Sequence, residues 1–165
     1  MLLKFRLRSV VSIFGILLVT AWASSAGWTR SNAELGRQQT VYVPIYSNVY
    51  FGDRLQPFNL TATLTIRNTD PAQVITVLSV KYYNSQGKMV RNYTDQPIEL
   101  DPWNSNQFFV KETDITGGPG AFFIVKWKAK TQVNMPIIEA VMIGAAANQG
   151  VSFICPGQII KNSRE

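Results

Sequence analysis

Residues 60–67 read Leu-Thr-Ala-Thr-Leu-Thr-Ile-Arg. Leu60, Ala62, Leu64 and Ile66 fall on one side of a two-residue period, with Thr61, Thr63, Thr65 and Arg67 on the other. A helix would scatter these side chains around its axis, whereas a strand sends them to opposite faces, so the segment is a half-buried strand. β-Branched threonine suits the wet side of a pleat. Asn68-Thr69-Asp70-Pro71 then ends the strand, because Asn and Asp side chains hydrogen-bond the backbone and proline presets φ.

The same period recurs along the chain. Val74, Thr76, Leu78 and Val80 alternate with Ile75, Val77 and Ser79 and lead into Lys81-Tyr82-Tyr83. Asn84–Gly87 is a hairpin turn from which Met89–Tyr93 returns. Pro97 and Pro102 bracket a short edge strand at Ile98–Leu100. Gln107–Lys111 is a further short run, and Thr116-Gly117-Gly118-Pro119-Gly120 reads as the most flexible loop. Phe123, Val125, Trp127 and Ala129 oppose Phe122, Ile124, Lys126, Lys128 and Lys130, and Ile137–Ile143 and Val151–Ile154 complete the set. Eight or nine short strands at this spacing predict an all-β protein, an antiparallel β-sandwich of immunoglobulin-like type, with a partly closed β-barrel as the alternative. The expected organisation is one domain over residues 40–160, a flexible lead-in at 27–39 and a polar tail at 161–165.

The first 26 residues differ in kind. Lys4, Arg6 and Arg8 precede the apolar run Val10–Ala21, and small residues at Ala21-Trp22-Ala23 and Ser24-Ser25-Ala26 offer cleavage sites. Basic, apolar and small-residue regions in this order read as a secretory signal peptide cleaved near Ala23 or Ala26. An uncleaved membrane anchor is the alternative, although the apolar stretch is shorter than the roughly 20 residues that span a bilayer. The expected location is therefore periplasmic or extracellular. Of 165 residues, 16 are Lys or Arg and 10 are Asp or Glu. Removal of the leader lowers the net charge from +6 to +3, too mild and too dispersed for a nucleic-acid binder.

The chain has no histidine and a single cysteine. Imidazole-based nucleophile pairs and metal sites that need a ring nitrogen are excluded, as are thiolate clusters and intrachain disulfides. The sequence carries no cofactor motif. The Gly117–Gly120 segment lacks the following Lys-Ser/Thr and helix of a phosphate cradle.

Several residues are candidates for other roles. Trp103, in the polar loop Pro102-Trp103-Asn104-Ser105-Asn106, could stack on a sugar or dock a partner, or fold back over the sandwich edge. Tyr42, Tyr46 and Tyr50 recur every four residues, forming either an aromatic recognition strip or a second buried face. Lys126, Lys128 and Lys130 form a positive row along one strand. Such rows commonly guard an edge strand, and they can also meet an acidic polysaccharide, lipopolysaccharide phosphates or another anionic partner. Trp127 reads as a core anchor. Cys155 is either a small buried hydrophobe or an unpaired thiol able to cross-link chains. Glu112 with Asp114, and Glu99 with Asp101, have the spacing of paired carboxylates beside turn signals.

Three stretches together carry a resemblance: Pro44-Ile45-Tyr46-Ser47, the long string Leu60–Pro71, and Glu139-Ala140-Val141-Met142-Ile143-Gly144. From about Val41 to Ile160 the chain resembles a family of short exported bacterial proteins known as a domain of unknown function. The resemblance implies an envelope or secreted protein and transfers no activity or ligand. The expectation is thus a non-enzymatic exported module that binds an envelope protein or glycan through Trp103, Tyr46, Tyr50 and the lysine row. The alternatives are a carboxylate-based polysaccharide hydrolase using Glu112 or Asp114, and a structural subunit tied through Cys155.

Overall fold

The computed structural model describes residues 34–146 and 149–163. The leader and its cleavage sites lie outside the described residues. Twelve strands are present among the described residues, more than the eight or nine expected: β1 (Leu35–Pro44), β2 (Asn48–Phe51), β3 (Gln56–Asn59), β4 (Thr61–Arg67), β5 (Ile75–Tyr83), β6 (Met89–Asn92), β7 (Ile98–Leu100), β8 (Ser105–Val110), β9 (Phe122–Asn134), β10 (Ile137–Ala146), β11 (Gln149–Pro156) and β12 (Gln158–Ser163). Strand pairing thus reaches back to Leu35, within the stretch read as a lead-in, and forward to Ser163, within the stretch read as a tail.

One sheet has the order β12-β1-β9-β5, with β6 and β7 following each other along the far edge of β5. The second runs β11-β10-β4-β8, and β2 and β3 form a separate hairpin. Among the described residues every pairing is antiparallel and no sheet closes on itself, so the fold is a β-sandwich rather than a barrel. We call the first sheet the front sheet and the second the back sheet.

The core follows the sequence period. Ala62, Leu64 and Ile66 of β4 and Phe123, Val125, Trp127 and Ala129 of β9 are buried together, with Val41 and Val43 of β1 and Ala140 and Met142 of β10. On β5 the phase changes: Ile75 and Val77 are buried and so are Val80 and Tyr82. A register shift between Val77 and Ser79 inserts an extra residue, and a bulge of one residue moves every later side chain to the other face. The indole Nε1 of Trp127 is buried without a hydrogen-bond partner.

Two joints fix the ends of the sandwich. The chain passes from the back sheet to the front sheet at Gly157, whose N–H donates to the Ile138 carbonyl at 2.8 Å. A Cβ there would lie 2.6 Å from Val41 Cγ1 and 2.7 Å from the Ile138 carbonyl oxygen, so only glycine fits. The Gly117–Gly120 segment is not the loose loop its composition suggests. Its Gly117 carbonyl accepts from both the backbone N–H and the hydroxyl of Ser85, and the Gly118 carbonyl accepts from Ser47 N–H. Below it, Ser47 and Tyr82 share a buried hydrogen bond of 3.0 Å.

Candidate functional site

The lysine row sits where no edge guard is needed. β9 lies between β1 and β5, in the interior of the front sheet, so Lys126, Lys128 and Lys130 project from its solvent face rather than along an edge. The edge-guard expectation is corrected by this pairing, since an interior strand has no free backbone to protect. Directly paired residues share a face. Lys126 is therefore flanked by Thr40 and Ser79, and Lys128 by Gln38 and Thr76, all uncharged. Lys161 continues the row of Lys126 across Thr40, and Lys81 stands in the next row, opposite Ile124. Among the described residues, none of these lysines is in an ion pair; the salt bridges there are Arg67–Glu139 and Arg91–Asp114.

At the lower end of the row the sheet opens. The β1–β9 register shifts between Gly36 and Gln38, and the β5–β9 register between Val77 and Ser79. Around this double irregularity lies a groove of about 560 Å³ whose walls include Arg37, Gln38, Thr76, Glu99, Lys128 and Lys130. Three cations and one carboxylate share it with amide and hydroxyl groups. Such a surface can hold a carboxylate, phosphate or sulfate by charge while bonding neighbouring hydroxyls. No local motif marks Arg37, Gln38 or Thr76, because long-range pairing and a bulge bring them together; Glu99, read above as a paired carboxylate with Asp101, instead stands across from Thr76.

At the opposite end of the same face, Tyr42, Phe122 and Tyr83 stack across three strands. The ring centroids are 4.7 Å apart for Tyr42–Phe122 and 5.0 Å for Tyr83–Phe122. Burial, and then the neighbouring Tyr46, push the Tyr42 phenol above its ordinary pKa. The expected strip of Tyr42, Tyr46 and Tyr50 is not formed. β1 stops at Pro44, Tyr46 turns edge-on to Phe153 at 5.6 Å, and Tyr50 is exposed on the β2–β3 hairpin.

Trp103 lies elsewhere, in the β7–β8 turn at the end of the sandwich opposite the β2–β3 hairpin. It is 70% exposed and has φ +62°, a left-handed conformation unfavourable for a bulky side chain. A polar network holds the turn. The buried Asn68 donates from Nδ2 to the carbonyls of Gln73, Leu100 and Asp101, and its own N–H donates to the Asn104 carbonyl. Beside it Asp70 accepts from the N–H groups of Ala72, Gln73 and Asn134 at 2.9–3.0 Å. These backbone hydrogen bonds, that of Ala72 foremost, hold the Asp70 carboxyl below its usual pKa against the opposing effect of burial.

The remaining candidates have local surroundings. Cys155 is half-buried opposite Ala140, and burial raises its thiol pKa, lowering the thiolate fraction. Asp114 pairs with Arg91 at 3.2 Å and accepts hydrogen bonds from the N–H and hydroxyl of Thr116, while Glu112 is exposed in the same turn. Among the described residues no group of three acidic or Cys side chains has the arrangement of a metal site. Trp103, Tyr50 and the lysine row thus occupy three separate regions, and the Lys128–Lys130 groove is the one that gathers several polar groups in a concavity.

An antiparallel sandwich with a cationic groove on one face is the class these features define. Residues 38–160 match the family described as "Protein of unknown function (DUF3124)", and the chain belongs to it. No functionally curated protein matches the chain. Among solved structures, "Crystal Structure of Thermotoga maritima 1070" aligns with 12% identity and a TM-score of 0.46, covering 78% of this chain and 98% of that one.

Proposed function

We propose that the protein is an exported, non-enzymatic binding module whose front face holds an anionic glycan of the cell envelope. The groove around Lys128 is the observation that supports this reading. Like charges aligned along one strand oppose folding slightly: at a spacing near 7 Å in water the repulsion is about 0.6 kcal/mol per pair. An interior strand gains nothing structural in return, so a ligand of opposite charge gives the row a role. Arg37, Lys128 and Lys130 would meet acid groups of the polymer, with Gln38 and Thr76 bonding its hydroxyls. The basic, apolar and small-residue pattern of the first 26 residues supports an exported reading, with binding in the periplasm or outside the cell.

The test is calorimetric titration with polygalacturonate, using neutral dextran as the reference polymer. Polygalacturonate should bind with an affinity that falls as salt rises, and dextran should not bind. The triple variant K126Q/K128Q/K130Q should bind roughly ten-fold more weakly or worse. A second triple, R54Q/K88Q/K111Q, removes the same charge from turns outside this face and should change affinity little. Equal losses in both triples would reduce the effect to net charge and overturn the assignment.

A further inference from the structure

We infer that β11 is a docking edge, and that its occupant is the β11 strand of a second copy of this chain, paired antiparallel across a two-fold axis. This inference is independent of the groove on the front sheet. It comes from the four edges of the sandwich, three of which are closed to a new strand.

On the back sheet, the β8 edge is occupied by a side chain. Tyr93 Oη donates to the Phe109 carbonyl at 3.0 Å, while Arg91 lies over the Tyr93 ring at 5.3 Å. The Tyr93 ring also packs against Phe108 and Phe123, closing that flank between the sheets. On the front sheet, one edge is cut into β6 and β7, four and three residues long, with Pro97 between them. Its other edge, β12, carries Lys161 and an irregularity: Ile159 pairs Val41 and Lys161 pairs Thr40, leaving Ile160 as an extra residue. Short strands, bulges, lysine and proline are the usual obstacles to edge-to-edge pairing.

β11 has none of them along its length. Its eight residues keep an unbroken register with β10, from Glu139↔Pro156 to Ala146↔Gln149. No charged side chain occurs between Gln149 and Pro156, and proline stands only at the end. No other described strand pairs with its outer edge. Ile154 is 58% exposed and continues a cross-strand row with Val141, Thr63 and Phe109 on the outer face. On the inner side, Phe153 and Cys155 are only half-buried, so the core is open at this flank.

A second β11 meets each of these features. Antiparallel self-pairing satisfies the free backbone groups, places no charge against another, and covers Phe153 and Cys155 with the copy's own apolar side chains. The front-face lysines stay clear of the contact, so the net positive charge does not oppose it there. Because Tyr93 and the bulged β12 close other edges, assembly stops at two copies with a continuous eight-stranded back sheet.

Sedimentation velocity on the protein as its own cells process it, under reductant and over a wide concentration range, reads the result. The expected species is a dimer that dissociates on dilution. The variant S152K/I154K places charge on the outer side of β11 and should be monomeric with an unchanged circular-dichroism spectrum. I143K, on β10 of the same face, should remain dimeric. Hydrogen exchange of the unsubstituted protein gives a second readout independent of variant folding, since β11 amides should gain protection with concentration. A monomer at every concentration overturns the inference. So does a dimer in S152K/I154K, a dimer that reductant dissolves, or protection gained at another edge.

Discussion

The two outer faces of this sandwich are built alike and dressed differently. On the front sheet, Lys81, Lys126, Lys128, Lys130 and Lys161 stand among Thr40, Thr76, Ser79 and Gln38. On the back sheet, Ile143, Val141, Ile154 and Phe109 stand among Thr61, Thr63 and Thr65, with charge confined to the Arg67–Glu139 pair and its surroundings. The inward positions of both sheets obey one demand, to fill a shared core. Outward positions of interior strands meet no such demand, so a face rich in lysine, or one rich in exposed apolar side chains, points to what the face meets.

The largest effect should come from breaking the joint that keeps the faces apart. Replacing Gly157 by Val puts a branched side chain against Val41 and the Ile138 backbone, where even a Cβ overlaps. The expected loss is about 3 kcal/mol or more, read as a lowered denaturation midpoint. Both faces should then lose their ligands together. Retention of full stability would mean that the crossing can move aside.

Next in size is Asp70→Asn, which removes the charge on which the Ala72, Gln73 and Asn134 N–H groups converge. A loss of about 2 kcal/mol at neutral pH is expected, in the range for hydrogen bonds to a charged acceptor. The pH dependence has a definite sign. A folded-state pKa below the unfolded value, near 3.9, gives stability that is fully present above that value and declines as pH falls through the folded pKa. The parent should therefore lose stability below about pH 4, and D70N should show a flatter acid limb in denaturant titrations.

Local chemistry made much of this readable in advance. The β4 alternation and the inward set Phe123, Val125, Trp127 and Ala129 follow directly from a two-residue period. What escaped is set by pairing at long range. That β9 is interior depends on β1 and β5 lying on either side of it, and no window around Lys126–Lys130 contains either. The Val77–Ser79 bulge makes β5 read as one continuous alternation, although its phase changes midway. Tyr46 and Tyr50 share the parity of Tyr42 but not its strand, because the chain leaves β1 at Pro44. β12 is short, with Ile159 and Ile160 adjacent, so it shows no alternation.

The front face can be separated from the fold itself. K126Q/K128Q/K130Q deletes three like charges that have no ion-pair partner among the described residues, so its melting temperature should stay level or rise slightly, a gain of about 1 kcal/mol at most once salt screens the repulsion. Binding of polygalacturonate should nevertheless collapse. A variant that loses binding and stability together would show that the lysine stems pack on the sheet, and that this face serves the fold more than a ligand.

The smallest expected effect concerns Trp103, which belongs to neither face. Its φ of +62° carries a penalty of about 1–2 kcal/mol for an L side chain, and its 70% exposure returns little through burial. Asn68 holds the turn through contacts with Gln73, Leu100, Asp101 and Asn104, none of which involves the indole. Trp103→Gly should therefore stabilise the protein by up to about 1 kcal/mol, because relief of strain is partly offset by the greater freedom of glycine in the unfolded chain. Trp103→Ala keeps the strain and should leave stability nearly unchanged. A gain in the glycine variant alone would identify the indole as a side chain held outward against the preference of its backbone, the arrangement expected of a contact residue. A loss of stability in both would assign it instead to packing over the end of the sandwich.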